Sequence, residues 1–243
     1  MSGAHVGGLG RLGNLEPSGS VGAMGLLRLL WLASPALPIG AYAYSRGLEY
    51  AVCDGSVSNA ASARVWIEGV LDRQVAALDA PVLARLHDAW SADSQDEVER
   101  WDDFLCAARE SGELALEDGQ LSRSLLRLLR DAGVPQATSA VGTRVRSYAA
   151  AFALACVHWG IARADAVLAY MFVFVESQVT AAIKLVPLGQ SSGQQVLGAL
   201  LGRIEQLAES ALDVPDADLG SFTPGLALAS ALHETQYSRL FRS

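Results

Sequence analysis

Residues 147–186 form the most apolar stretch of the chain, and they limit what it can fold into more than any other segment. Uncharged windows run from 147 to 162 and from 166 to 175, separated by Arg163 and Asp165. Neither reaches the roughly 18–20 apolar residues that a bilayer-spanning helix requires. A stretch this apolar must then be covered by protein, which predicts two buried helices, 139–161 and 163–185. No segment alternates apolar and polar residues with the period of a strand. The expected fold class is all-α, a single domain of about nine or ten helices around an apolar central pair.

The remaining helices follow from spacing and punctuation. Leu26, Leu29, Leu30 and Ala33 give an apolar face to a helix at 24–33. A helix at 45–53 stops at Asp54-Gly55, where Gly55 suits the left-handed position after a helix end. Ser58 or Asn59 caps a helix through 77 whose Val65, Trp66, Gly69 and Val70 face inward, and Asp79 and Pro81 start the next. Charged residues dominate the outer face of 94–109, while Leu121, Leu125, Leu128 and Leu129 stripe 117–132. Ser191 or Ser192 caps a helix to about 212. Thr223 and Pro224 open a last helix to about 232.

Composition excludes several function classes. The chain has 243 residues, 51% of them apolar, enough for a core that needs no staples. Its net charge is −8 with no basic stripe, so nucleic-acid binding is not expected. Cys53, Cys106 and Cys156 are odd in number and far apart, which predicts buried thiols rather than a disulfide framework or a zinc site. Residues 1–25 are glycine- and serine-rich and read as a flexible extension, with 26–232 as the folded domain and 233–243 as a tail. Arg28 interrupts the only apolar run that could follow a signal peptide's basic start, so a cytoplasmic protein with no membrane partner is expected.

Residues that could carry chemistry are sparse. Asp102 and Asp103 in WDDFL would suit an all-α, magnesium-dependent isoprenoid-type enzyme, the alternative function, if a second acidic cluster faced them across a cavity. The sequence supplies one cluster, beside Glu97, Glu99 and Arg100, as a solvated face would. His5, His87, His158 and His233 have no ligand partner at helical spacing; His158 reads as a core histidine, and His233 and Glu234 share no face. Residues 189–193, GQSSG, are followed by no GK[ST], and no GxSxG elbow is present. No catalytic or metal-binding residue is assigned. On the 163–185 helix, Ser177, Thr180, Ala181 and Lys184 form a narrow polar stripe. Either Lys184 complements the helix C-terminus, or the stripe lines a groove, an interface or a wet passage.

Residues 32–52, LASPALPIGAYAYSRGLEYAV, form an elbow over Pro35, Pro38 and Gly40, read either as a rigid connector or as a shaped recognition surface. This stretch resembles the N-terminal signature of the urease accessory protein UreF family, commonly LPxGGxSxSxGLE. VESQVTAAIKLVPLGQSSGQQ is similar to the family's second signature, HETQYSRLFRS to its C-terminal end, and RESGELALEDGQLSRSLLRLL fits between them. The resemblance covers about residues 26–243. It implies a cytosolic, all-α, non-enzymatic and dimeric protein that binds a UreD-type (UreH-type in some species) accessory protein. Together they recruit the nickel-carrying GTPase UreG and deliver nickel to apo-urease. Nickel and GTP are then handled by partners, and no cofactor is bound tightly. Glu49 and Lys184 match positions that engage or gate the GTPase, and the tail with Tyr237, Arg239, Leu240 and Phe241 matches the segment ordered on the UreD-type partner. Ala41, Ala43 and Arg46 depart from the common signature, and Arg46, three residues before Glu49, is placed to pair with it.

Overall fold

The computed structural model describes residues 22–140 and 145–243, and within them the helical periods of the sequence become helices with no strand. Residues 1–21, most of the expected extension, lie outside the described residues; α1 (Ala23–Leu32) begins just before its boundary. A 3₁₀ turn (Ala41–Ala43) and α2 (Leu48–Cys53) follow. Helix α3 (Ala60–Val70) is capped by Asn59, whose side chain accepts the Ser62 N–H at 3.0 Å while Ser62 Oγ accepts the Asn59 N–H.

The restart expected at Asp79 and Pro81 is absent. Helix α3 continues through a π-helical stretch (Leu71–Asp79) straight into α4 (Ala80–Ser91). The wider turn is what carries a proline inside a helix: the Ala80 N–H bonds back to Val75 O, five residues earlier. Ala77 O, which Pro81 cannot serve, accepts the Gly220 N–H at 3.3 Å instead. Asp79 caps nothing; it is fully buried, 2.7 Å from Arg109.

Next come α5 (Gln95–Ala107) and α6 (Gly112–Asp131), which starts before the expected 117 because Ser111 accepts the Leu114 N–H. The single helix expected over 139–161 is two, α7 (Pro135–Ala140) and α8 (Tyr148–His158), with extended Ser147 capping the second. Helix α9 (Arg163–Leu185) has the expected bounds. Helix α10 (Gln190–Ala211) takes Gly189 rather than Ser191 or Ser192 at its cap. A 3₁₀ turn (Asp216–Asp218) precedes α11 (Pro224–His233), which has Pro224 in its first turn.

The core is built around α8. Every residue from Tyr148 to Cys156 is buried, and its alanines let α4, α6 and α9 approach closely. Helix α9 is long and apolar enough to cross a membrane by length and composition, but 61% of its most apolar window is buried inside the fold. Two buried aspartates fix the start of α8. Asp102 accepts the Ser147 N–H (2.8 Å), the Ser147 hydroxyl (2.6 Å) and the Arg146 N–H (2.9 Å). Asp118 accepts the Tyr148 N–H at 2.8 Å and holds Arg109, which bridges to Asp79.

Several side chains depart from the expected faces. Among the described residues, Val65 points outward, and Leu26 and Leu30 on α1 are exposed. His158 is exposed at the end of α8 beside Trp159 rather than in the core. The thiols are not all buried either: Cys53 is exposed and Cys106 half-buried. Burial, with Asp102 and Asp118 nearby, pushes the Cys106 thiol up to about 12, and burial raises Cys156 as well. The thiolate is the reactive species. A thiol reagent at about pH 8 is therefore expected to label Cys53 rapidly and the other two only after denaturation, as read by mass spectrometry of the intact chain.

Candidate functional site

Two consecutive left-handed residues shape the elbow. Arg46 has φ 52° and Gly47 φ 74°, so the chain turns sharply and α2 starts at Leu48 rather than at 45. At Gly47 a side chain is disfavoured twice, since a Cβ there would also crowd both Ala229 Cβ and the Ser230 nitrogen on α11 at 3.2 Å. Leu32, Leu37 and Ile39 are buried and fasten the elbow to the core. Tyr44 is buried too, its hydroxyl donating to Gln120.

Against this elbow lies the other end of the chain. Glu49, in the first turn of α2, is 7% exposed and accepts the Leu240 N–H at 2.6 Å and the Phe241 N–H at 2.8 Å. Its Oε2 also lies 3.1 Å from His233 Nε2. The opposite ring nitrogen, Nδ1, is 2.8 Å from Glu113 Oε2, and Glu113 Oε1 accepts from Arg239 at 3.0 Å. Further along, the Arg242 N–H donates to Ala43 O (2.8 Å), and the N–H and hydroxyl of Ser45 both donate to Ser243 O (2.6 Å each). Glu117 accepts the Ser243 hydroxyl at 2.9 Å and Arg46 Nε at 2.7 Å. Phe241 fills an apolar pocket with Leu48, Ala51, Val57, Ala181, Ala182 and Val186. Lys184 Nζ lies 5.7 Å from the ring centroids of both Tyr42 and Phe241. Elbow, α9 end and tail thus form one surface.

Comparison with known proteins gives this convergence a family. The UreF family model matches residues 57–201, between the elbow and the tail. A urease accessory protein UreF of Alkalilimnicola ehrlichii is 47% identical over 217 residues, covering 89% of this chain and 95% of that protein. Its counterpart in Teredinibacter turnerae is 48% identical over 221 residues, 90% of this chain and 98% of that protein. One from Azoarcus sp. strain BH72 is 46% identical over 233 residues, 94% and 99% of the two chains. The chain belongs to the UreF family.

The UreF-like stretches place the singled-out residues unevenly. Lys184 is exposed, whereas Glu49 is buried and its carboxylate is taken up by the tail. Tyr237 and Leu240 are exposed, Arg239 is tied to Glu113, and Phe241 is buried. The Arg46–Glu49 pairing does not form. Because α2 begins only at Leu48, the two residues share no helical turn, and Arg46 pairs with Glu117 over the Phe174 ring. Ser177 donates to Phe174 O and Thr180 to Glu176, whose carboxyl is raised by burial. Ser177 and Thr180 line a cavity of about 40 Å³ under Leu37 and Tyr42. A neighbouring one of about 30 Å³ lies against Arg46, Tyr148 and Gln178. Each has room for a water molecule. Asp102 is committed to α8, and burial raises its carboxyl despite the bonds from Ser147 and Arg146; exposed Asp103 pairs with Arg146.

The residues that sequence reasoning missed are His233, Glu113, Glu117 and Ser45. One signal was available: Glu113 and Glu117 sit four apart on the face of α6 that carries Leu114 and Leu121, and carboxylates on a core-facing side require partners. Charge-assisted hydrogen bonds of the Glu49 kind are worth about 1.5–3 kcal/mol each. Glu49→Ala is expected to lower the unfolding free energy by roughly 2–4 kcal/mol and to speed amide exchange at Leu240 and Phe241 well beyond that in α8. Denaturant titration and hydrogen-exchange mass spectrometry check both.

Proposed function

We propose that this chain is a non-enzymatic urease maturation factor, a cytoplasmic scaffold that binds a UreD/UreH-type accessory protein and recruits and regulates a UreG-type GTPase. Nickel delivered to apo-urease is then the cargo of the assembly, and nickel and GTP are handled by the partners. The observation that carries this reading is the meeting of the three UreF-like stretches in one surface. Lys184 is an exposed cation of this surface, flanked by Tyr42 and Phe241, and suits direct contact with the GTPase. Buried Glu49 acts indirectly, by holding the tail against the elbow.

The other partner contacts follow from apolar surface that is exposed among the described residues. Phe222 is 76% exposed, and Leu228, Tyr237 and Leu240 are exposed with it along α11 and the tail, which suits the UreD-type partner. Met24, Leu27 and Leu30 of α1 are exposed beside a groove of about 470 Å³ lined by Leu168, Phe172 and Leu201, which suits a second copy in a homodimer. Against the isoprenoid-type alternative, Asp102 is buried holding the start of α8, and Asp103 is paired with Arg146.

Deletion with complementation tests the reading. Cells lacking this protein are expected to make urease with less than about a tenth of the normal activity at ordinary nickel, restored by the intact chain. Lys184→Ala is expected to restore it poorly while leaving the helical circular dichroism unchanged. Fully active urease in the deletion strain would overturn the proposal.

A further inference from the structure

Lysine occurs once in this chain. Of its 18 lysine and arginine residues, Lys184 is the one lysine and the rest are arginines. Elsewhere among the described residues, the cation over an aromatic ring is a guanidinium. Arg28 lies over Trp31 and Trp159, Arg46 over Phe174, and Arg85 and Arg100 over Trp101. Lys184 departs from that habit on the surface shared by the elbow, the α9 end and the tail.

The two cations are not interchangeable. A guanidinium is flat and stacks on ring faces, whereas an ammonium is a compact point charge with three rotatable donors. Lys184 Nζ stands 5.7 Å from the centroids of both Tyr42 and Phe241, near the outer limit of about 6 Å for a cation–π contact. The rings flank the ammonium without taking up its N–H groups. Among the described residues it forms no hydrogen bond and no ion pair, although the chain carries 26 acidic residues. Its donors are therefore open to an acceptor on another molecule. An arginine at this position would lie flat on one ring, as Arg100 does at 4.5 Å from the Trp101 centroid. The charge would stay, but the donors would be turned along the ring.

We propose that this surface receives a carboxylate of its protein partner on the Lys184 ammonium, and that position 184 accepts lysine but not arginine. The proposal rests on the reading above, in which Lys184 meets the GTPase, and adds the chemistry of that contact. One Asp or Glu side chain of the partner sits between Tyr42, which is exposed, and Phe241, which is anchored among Leu48, Ala51 and Ala182. The two rings keep water from the pair on both sides, which strengthens the attraction between ammonium and carboxylate.

A single ε-amine makes the contact directly readable. A carbodiimide joins an amine to a carboxylate only where the two touch. Applied to the assembly copurified from cells that make urease and its accessory proteins, it is expected to link Lys184 to an Asp or Glu of the GTPase. Mass spectrometry of the joined peptides reads the link. Lys184→Arg in the complementation assay tests the choice of cation. It is expected to keep the helical circular dichroism and the exchange protection of Leu240 and Phe241. It should nevertheless restore urease about tenfold or more below the wild type, close to Lys184→Ala. Full restoration by Lys184→Arg where Lys184→Ala fails would overturn the requirement for an ammonium and leave the GTPase reading standing. Full restoration by Lys184→Ala, or a copurified assembly without the GTPase, would overturn both. A GTPase-containing assembly in which Lys184 forms no link, or links only to carboxylates of its own chain, would overturn the carboxylate contact.

Discussion

A carboxylate taken out of water must be surrounded by donors, and Glu49 draws its donors from the far end of the chain. Two tail amides and the His233 ring converge on it, and the tail can reach it only because Arg46 and Gly47 adopt left-handed angles that set the direction of α2. Gly47 also leaves room for α11, which delivers His233. Once the tail is in place, Phe241 closes the small apolar cluster between α2, α3 and the end of α9. One buried acid thereby joins the start of α2 to the tail, and the surface around Lys184 depends on that joint.

The interior uses the same device. Asp102 and Asp118 each accept backbone N–H at the start of α8, and Arg109 pairs with both Asp118 and Asp79. Such pairs are often no better than apolar packing for stability, but removing one member leaves a buried charge and is strongly destabilising. They place the otherwise featureless alanine helix at one register. Because α8 touches α4, α6 and α9, that register sets the position of the α9 end that carries Lys184.

Local rules made most of the fold legible. The bounds of α9, the Asn59 cap, Gly55 after α2 and Pro224 at the start of α11 all followed from spacing and punctuation. Misreadings arose where a residue with two possible uses took the tertiary one. Asp79 looked like a cap and became an ion-pair member; Asp102 looked like part of a solvated face and became a buried anchor. Pro81 signalled a break that a π turn absorbed. The elbow and tail were visible as stretches, but their joint was not. Glu49 and His233 lie 184 residues apart, and no local period encodes a contact of that separation.

The central claim is that the seated tail, the elbow and the end of α9 act as one recognition surface in urease maturation. A photo-crosslinking residue at exposed Tyr42, introduced in cells that make urease and its accessory proteins, addresses it most directly. The account predicts capture of another urease maturation component by the intact chain and loss of that capture when Glu49→Ala frees the tail. Capture that is equally strong with the tail freed, or crosslinks to no urease component at all, would contradict it.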